Sequence, residues 1–317
     1  MLFRAATILS AIVSLTFATP IIYDGRAPLN YTEADIDGPK APYVYVVRGS
    51  KNSSYYVDFD KILPPPTPLW IGKLPGFLPL PKLTEQTVKV KIDNSSVFVP
   101  GGNPANAQYG FRRTEIIAQN DRNAMETGTT VFHFSILKDD LHPLNPKHEY
   151  QIVFIEPNDG THVFQVRYGS NFANPTQAHL PTSNAFNLEI TDHALNVIYS
   201  VPFKSLTWYN FAVQVDWTNR TLGVFASQNA DQLEKVSKLR PNLSATAGPD
   251  GQGDFHFGVI KLPLVNPTDS EADKGDVVHH GIQEGTTEAL YYSGVFVESI
   301  TKGVSTGYGK TTTPITA

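Results

Sequence analysis

The chain has 317 residues, a formal charge of −5 and only 17% charged residues. Without a basic bias it is not the sequence of a nucleic-acid-binding protein. Without a single cysteine it excludes disulfides, thiolate nucleophiles and Cys-ligated zinc, and a composition rich in Asn, Thr, Ser and Tyr suits neutral polar ligands.

The first eighteen residues read as a secretory signal. Arg4 supplies a basic end, Ala5 to Phe17 an apolar middle diluted by Thr and Ser, and Thr16-Phe17-Ala18 a small-residue cut site. That stretch is too short to span a bilayer, and no second long apolar run follows. The tail, Lys310 to Ala317, lacks the apolar tract of a lipid-anchor signal. The expectation is a signal over 1–18 and one secreted, extracellular domain over 19–317, monomeric and not membrane-bound. A domain of that length can bury a core without disulfide support. Sequons at Asn30, Asn52, Asn94, Asn219 and Asn242 are candidate glycosylation sites.

Gly and Pro, 23 and 24 residues, punctuate the rest of the chain. Between them lie short β-branched and aromatic runs, predicted as strands at 43–48, 55–59, 87–92, 111–118, 129–136, 149–156, 162–168, 185–190, 196–201, 208–216, 221–226, 254–261 and 289–299. Several alternate cleanly. Phe164, Val166 and Tyr168 share one face of their run, with Val163, Gln165 and Arg167 on the other; Val213, Val215 and Trp217 share another. The Pro-rich segment 63–81 carries Trp70, Leu74 and Phe77, too apolar for a solvated linker, and reads as a loop packed on the domain or lining a cleft. The best helix candidate is 230–238, about two turns. So many alternating strands imply an all-β fold, a β-jelly roll of two packed antiparallel sheets with little helix.

Three polar residues stand out within these strands. Glu115 shares a strand face with Arg113, which would hold the carboxylate ionised; the alternative, which residue chemistry alone favours, is a structural ion pair at a sheet edge. Glu156 ends the apolar run from Gln151, where partial desolvation would raise its pKa and suit it to a general acid; an ordinary strand-end carboxylate is the alternative. His256 lies opposite Phe255, Phe257 and Val259, beside the small Gly258, which would leave room for a ligand; the alternative is a half-buried, hydrogen-bonded histidine. His279-His280 does not suggest a metal, because neighbours in a strand point to opposite faces. Glu33 to Asp37 is similar to the Glu-x-Asp-x-x-Glu strand of laminarinase-type enzymes, but residue 38 is Gly, so the segment is set aside.

Taken together, the mature chain resembles the fungal secreted β-glucanases of glycoside hydrolase family 131. The resemblance rests on Tyr23-Asp24-Gly25-Arg26-Ala27-Pro28, Phe111-Arg112-Arg113-Thr114-Glu115, the run Tyr150 to Glu156, the run Gly253 to Pro263, and Tyr291 to Glu298. It implies a β-jelly roll with an open cleft and hydrolysis of β-1,3-, β-1,6- and β-1,4-glucans without a cofactor. It also implies that Glu115, Glu156 and His256 are catalytic, with the division of acid and base roles open. Arg113, Gln165 and Arg167 are the candidate substrate-binding residues, and Trp70 the candidate aromatic platform. Pro157-Asn158 stands where the family pattern carries a more His-rich turn. A non-catalytic glucan-binding jelly roll and a polysaccharide lyase are the alternatives, though a lyase for acidic sugars would want more clustered basic residues.

Overall fold

The computed structural model describes residues 19–316 apart from 39, 61–83 and 120. The signal expected over 1–18 and the loop expected over 63–81, with Trp70, lie outside the described residues.

The alternating runs build two antiparallel sheets. The first runs in the order β13 (Glu234–Lys235), β12 (Thr221–Gln228), β11 (Trp208–Asp216), β6 (Thr129–Lys138), β16 (Glu288–Ser299), β4 (Thr87–Ile92) and β3 (Val57–Asp60). Beside it, β1 (Ile21–Asp24) pairs with β16 and β14 (Arg240–Pro241) with β12. The second sheet runs β10 (Val197–Pro202), β9 (Asn187–Asp192), β8 (Phe164–Gly169), β7 (Glu149–Pro157), β15 (Gly253–Lys261), β5 (Arg112–Ile117) and β2 (Tyr45–Val47). A hairpin of β17 (Val304–Gly307) and β18 (Lys310–Thr312) stands apart. Neighbours such as β15 and β5, or β16 and β4, are far apart in sequence, the mark of a jelly roll.

One face of each sheet turns inward, as period two requires. Phe164, Val166 and Tyr168 of β8 meet Phe211, Val213 and Val215 of β11 in the shared core, with Trp217 packed against its edge. Phe132 links the sheets, its ring set edge-on to Phe164 and Phe255. The outer face of the first sheet is also covered: Val131, Ala212 and Phe225 are capped by Leu233, Val304 and Ile315.

Two local expectations change, and a segment set aside is explained. Segment 230–238 is not a helix. It contributes β13, which pairs with Phe225 and Ala226, while Leu233 is buried in the outer cluster. Two turns cannot nucleate alone, whereas the extended chain satisfies the edge of β12, as when Val236 N donates to Val224 O. The run at 55–59 opens instead as a helical turn, α2 (Ser53–Tyr56), and is a strand only from Val57. The acidic segment Glu33–Asp37 is a short helix, capped where Thr32 N donates to Asp35 Oδ2 at 2.8 Å, so its carboxylates never share a strand face.

Candidate active site

The outer face of the second sheet gathers the polar residues that the alternation predicts. β5 turns Arg113 and Glu115 outward, β7 turns Phe154 and Glu156, and β15 turns Asp254 and His256, while Phe255, Phe257 and Val259 enter the core. Register does the rest. His256 lies opposite Ile117 on one side and Phe154 on the other, Gly258 opposite Glu115, and Asp254 opposite Glu156. The same row extends from Tyr45 through Ile117, His256, Phe154 and Gln165 to Thr191.

This brings together residues 141 positions apart in the chain. His256 Nδ1 lies 3.2 Å from Glu115 Oε2, and His256 Nε2 lies 3.6 Å from Glu156 Oε2. Arg113 grips Glu115 with two donors, Nε to Oε1 at 2.7 Å and NH2 to Oε2 at 2.5 Å, and donates NH1 to Gln108 Oε1. Glu115 is fully buried. Burial alone would push its carboxyl up, but the Arg113 charge, the paired hydrogen bonds and His256 together hold it below the usual carboxylate range. Glu156 differs: its side chain is 29% exposed. Partial desolvation raises its pKa, and the Glu115 charge adds to that, against the pull of His256 and Arg113.

Two glycines permit the close packing. A Cβ at Gly258 would meet Thr114 O at 2.3 Å and Glu115 Cα at 2.6 Å. The space expected beside His256 for a ligand is therefore filled by the backbone of β5. A Cβ at Gly253 would meet the Glu156 carbonyl carbon at 2.2 Å, so the chain carrying Glu156 runs hard against the start of β15.

Gln165 and Arg167 lie on the predicted face but as its floor, 1% and 7% exposed. Arg167 is held by Glu189, with Nε and NH2 both 2.9 Å from Oε2. Gln165 Oε1 lies 2.6 Å from His162 Nδ1. That histidine was not among the sequence candidates. Alternation from 162 would group it with Phe164, but β8 begins at Phe164, and the preceding turn lays His162 over the outer face. Its ring stacks on Phe154 at 4.2 Å, and His256 stacks on the same ring at 4.7 Å. Burial pulls the His162 pKa down to about 4, against its bond to Gln165, so this imidazole is neutral near neutral pH. Asp254, gripped by Arg122 and by Gln119 Nε2 at 2.8 Å, also borders Glu156 and was not among the sequence candidates. At the end of the row Tyr45 is 49% exposed.

The remaining candidates are placed elsewhere. Asn30, Asn52, Asn94 and Asn219 are exposed. Asn242 is not: it is 3% exposed, its Nδ2 donates to Val163 O at 2.9 Å and its Oδ1 accepts from His193 N. A glycan on that nitrogen does not fit the folded chain, which corrects the expectation for this sequon. His279 and His280 sit in a turn rather than a strand, and each faces an aspartate, Asp276 at 2.9 Å and Asp273 at 3.4 Å. Among the described residues no cluster of three such groups could hold a metal ion.

Residues 21–303 match the family model of the glycoside hydrolase 131 catalytic N-terminal domain. Among solved structures, the chain is similar to a GH131 beta-glucanase catalytic domain from Podospora anserina, with 24% identity and a TM-score of 0.65 over 92% of this chain and 100% of that one. It is also similar to the catalytic domain of a glycoside hydrolase family 131 protein from Coprinopsis cinerea, with 26% identity and a TM-score of 0.62 over 90% of this chain and 97% of that one. No curated protein matches the chain.

Proposed function

The chain belongs to glycoside hydrolase family 131 and is a glycoside hydrolase, and from that premise we propose that it is a secreted β-glucanase, cutting β-1,3-, β-1,6- and β-1,4-glucosidic bonds of cell-wall glucan, with Glu156 as proton donor and His256 as base. The observation that carries this reading is the chain of contacts from Arg113 through Glu115 and His256 to Glu156. Glycoside hydrolysis needs an acid at the leaving oxygen and a base or nucleophile at the anomeric carbon.

Glu156 suits the acid role because it is reachable and its raised pKa keeps the proton in mildly acidic medium. Glu115 does not suit the other, because it is fully buried with both oxygens engaged. It is a positioning residue: it receives His256 Nδ1 and leaves Nε2 toward Glu156, much as a buried carboxylate orients a catalytic histidine. Glu156 then gives its proton to the glycosidic oxygen as the C–O bond breaks, water attacks the anomeric carbon, and His256 Nε2 takes the water's proton. The proton returns from His256 to Glu156 to reset the site. The 3.6 Å contact between the two must open to admit the sugar and the water. Tyr45 offers a stacking surface, and His162 a neutral hydrogen-bonding edge, along the same face.

Incubation with laminarin, pustulan and soluble cellulose derivatives, read by a reducing-sugar assay, is expected to give product. Silence on all three removes the glucanase reading, and an ultraviolet-absorbing product would favour a lyase. A single displacement predicts that the first-formed product has inverted configuration by proton NMR; retention would return Glu115 to the role of nucleophile. For export, sequencing the protein recovered from the medium is expected to begin at Thr19, whose hydroxyl packs against Glu298 and Ser305.

A further inference from the structure

A cavity of about 440 Å³ has walls that include none of Glu115, His256 and Glu156. Its walls come from the chain after α3 (Arg122–Met125), from the turn between β11 and β12, and from the loop before β15, and include Glu126, Val163, Trp217, Ala245 and Ala247. Trp217 is anchored with its indole nitrogen donating to Thr130 Oγ1 at 2.9 Å.

Glu126 is the unexplained group here. It is 0% exposed. Its Oε2 accepts from Gly253 N at 2.8 Å, while its Oε1 has no hydrogen-bond partner among the described residues. Burial pushes its pKa up to about 8, so near neutral pH it is a neutral acid. With Oε2 accepting, the proton sits on Oε1, which makes a buried O–H donor that lacks an acceptor. Such a group costs stability unless something fills it.

Several other polar groups on the walls are already engaged, while Thr221 Oγ1 has no partner among the described residues. Arg220 NH1 donates to Leu243 O and Ala245 O. Asp216 accepts from the backbone of Thr218 and Asn219 and from Asn219 Nδ2, and both amide atoms of Asn242 are used. Arg220 and Asp216, the charged residues on the walls besides Glu126, carry opposite signs and favour neither charge in a ligand, whereas a neutral ring with one apolar face and several oxygen acceptors finds an indole wall and, once the buried Glu126 carboxyl turns toward it, an unmatched donor.

We propose that this cavity is a second carbohydrate site, taking a neutral pyranose unit of a glucan oligosaccharide apart from the cleft where bonds are cut. The pyranose chemistry rests on the cavity alone; the choice of glucan as its source rests on the proposed function. The site gives the enzyme a second hold on a polymer, which raises the local concentration of chain at the cleft.

The test uses unglycosylated Glu156→Gln protein, so that ligands are not consumed, and follows the indole N–H resonance of Trp217, assigned by its loss in Trp217→Phe. Laminaribiose, gentiobiose, cellobiose and β-1,4-mannobiose are titrated separately. A saturable shift with a gluco-disaccharide is expected. Ala247→Phe, a change at an exposed rim position, is expected to weaken that binding on the order of tenfold, about 1.4 kcal/mol. In an otherwise unaltered chain the same change should leave hydrolysis of a short soluble glucan unaffected. A shift with mannobiose alone keeps the site and removes the glucan assignment. An unmoved Trp217 resonance with all four sugars, or a shift untouched by Ala247→Phe, overturns the proposal.

Discussion

Glu115 and Glu126 are both glutamates without exposure, yet their carboxyls go opposite ways. Arg113 and His256 stand beside the first and hold it ionised, whereas the second meets only one backbone N–H and stays protonated to about pH 8. Burial is common to both, so the partner decides the charge. The same reasoning separates Glu115 from Glu156 in mutation. Glu156→Gln keeps size and polarity at a partly exposed position, so kcat is expected to fall by at least about a hundredfold with little change in melting temperature. Glu115→Gln leaves Arg113 buried without its counter-charge. It is expected to lose activity and also about 3–5 kcal/mol of stability, read by denaturant unfolding. Equal melting temperatures for the two variants would sink that distinction. Because the Glu156 pKa is raised, the alkaline limb of the pH–rate profile is expected above the ordinary glutamate range; a limb at the usual carboxylate pKa would remove Glu156 as the acid. At this scale the sequence showed which side chains share a face, since Arg113 and Glu115 do pair. It did not show that Arg167 spends its charge on Glu189, because that partner lies on another strand.

Strands with clean alternation were legible nearly to the residue. β4 and β11 fall where the pattern puts them, and β15 begins one residue early. Elements that exist only by pairing were not. β13, β14 and the β17–β18 hairpin are too short to carry a period of their own, and form because an edge or a face accepts them. The C-terminal tail is of this kind. Its Ile315 is buried against Val131, Ala212 and Phe225. Its backbone is clamped to Gln214, Ile315 N donating to Oε1 at 2.9 Å and Ile315 O accepting from Nε2 at 3.0 Å. Ile315→Ala is expected to cost about 2–5 kcal/mol while leaving hydrolysis intact below the melting temperature, since the tail covers the sheet opposite the site. Unchanged thermal unfolding would show that the tail does not hold that face.

The whole molecule integrates these groups into one pH response. Glu126 has a folded pKa of about 8 against 4.5 for an ordinary glutamate. The stability tied to its proton is fully present below about pH 4.5 and is lost as pH rises toward about 8, a differential on the order of 5 kcal/mol at about 1.4 kcal/mol per pH unit. Glu284 acts in the other direction. Burial alone would raise it, but Lys261 and His148 hold it at about 2, so its contribution is present above about pH 4.5 and lost on acidification. His162, held at about 4, likewise disfavours folding as pH falls below about 6.5. Between about pH 4.5 and about pH 6.5 the Glu126 and His162 slopes oppose each other, so the melting temperature is expected to fall between about pH 6.5 and about pH 8, by something on the order of 5 °C, and Glu126→Gln should flatten that alkaline slope; an unchanged slope would show that Glu126 is not its source. By itself the sequence determined the all-β class, most strand positions, the shared face of Arg113 and Glu115 and the outward face of His256, because a period of two is a local property of the chain. It also carried the family's motifs in order. Only the tertiary structure decided that Glu115, Glu156 and His256 meet, that His162 joins them and that Asn242 is sealed. It also decided that 230–238 is extended and that a buried acid faces a second cavity. Each of these follows from strand register and from which surfaces cover one another, and both are set by contacts between residues far apart in the chain.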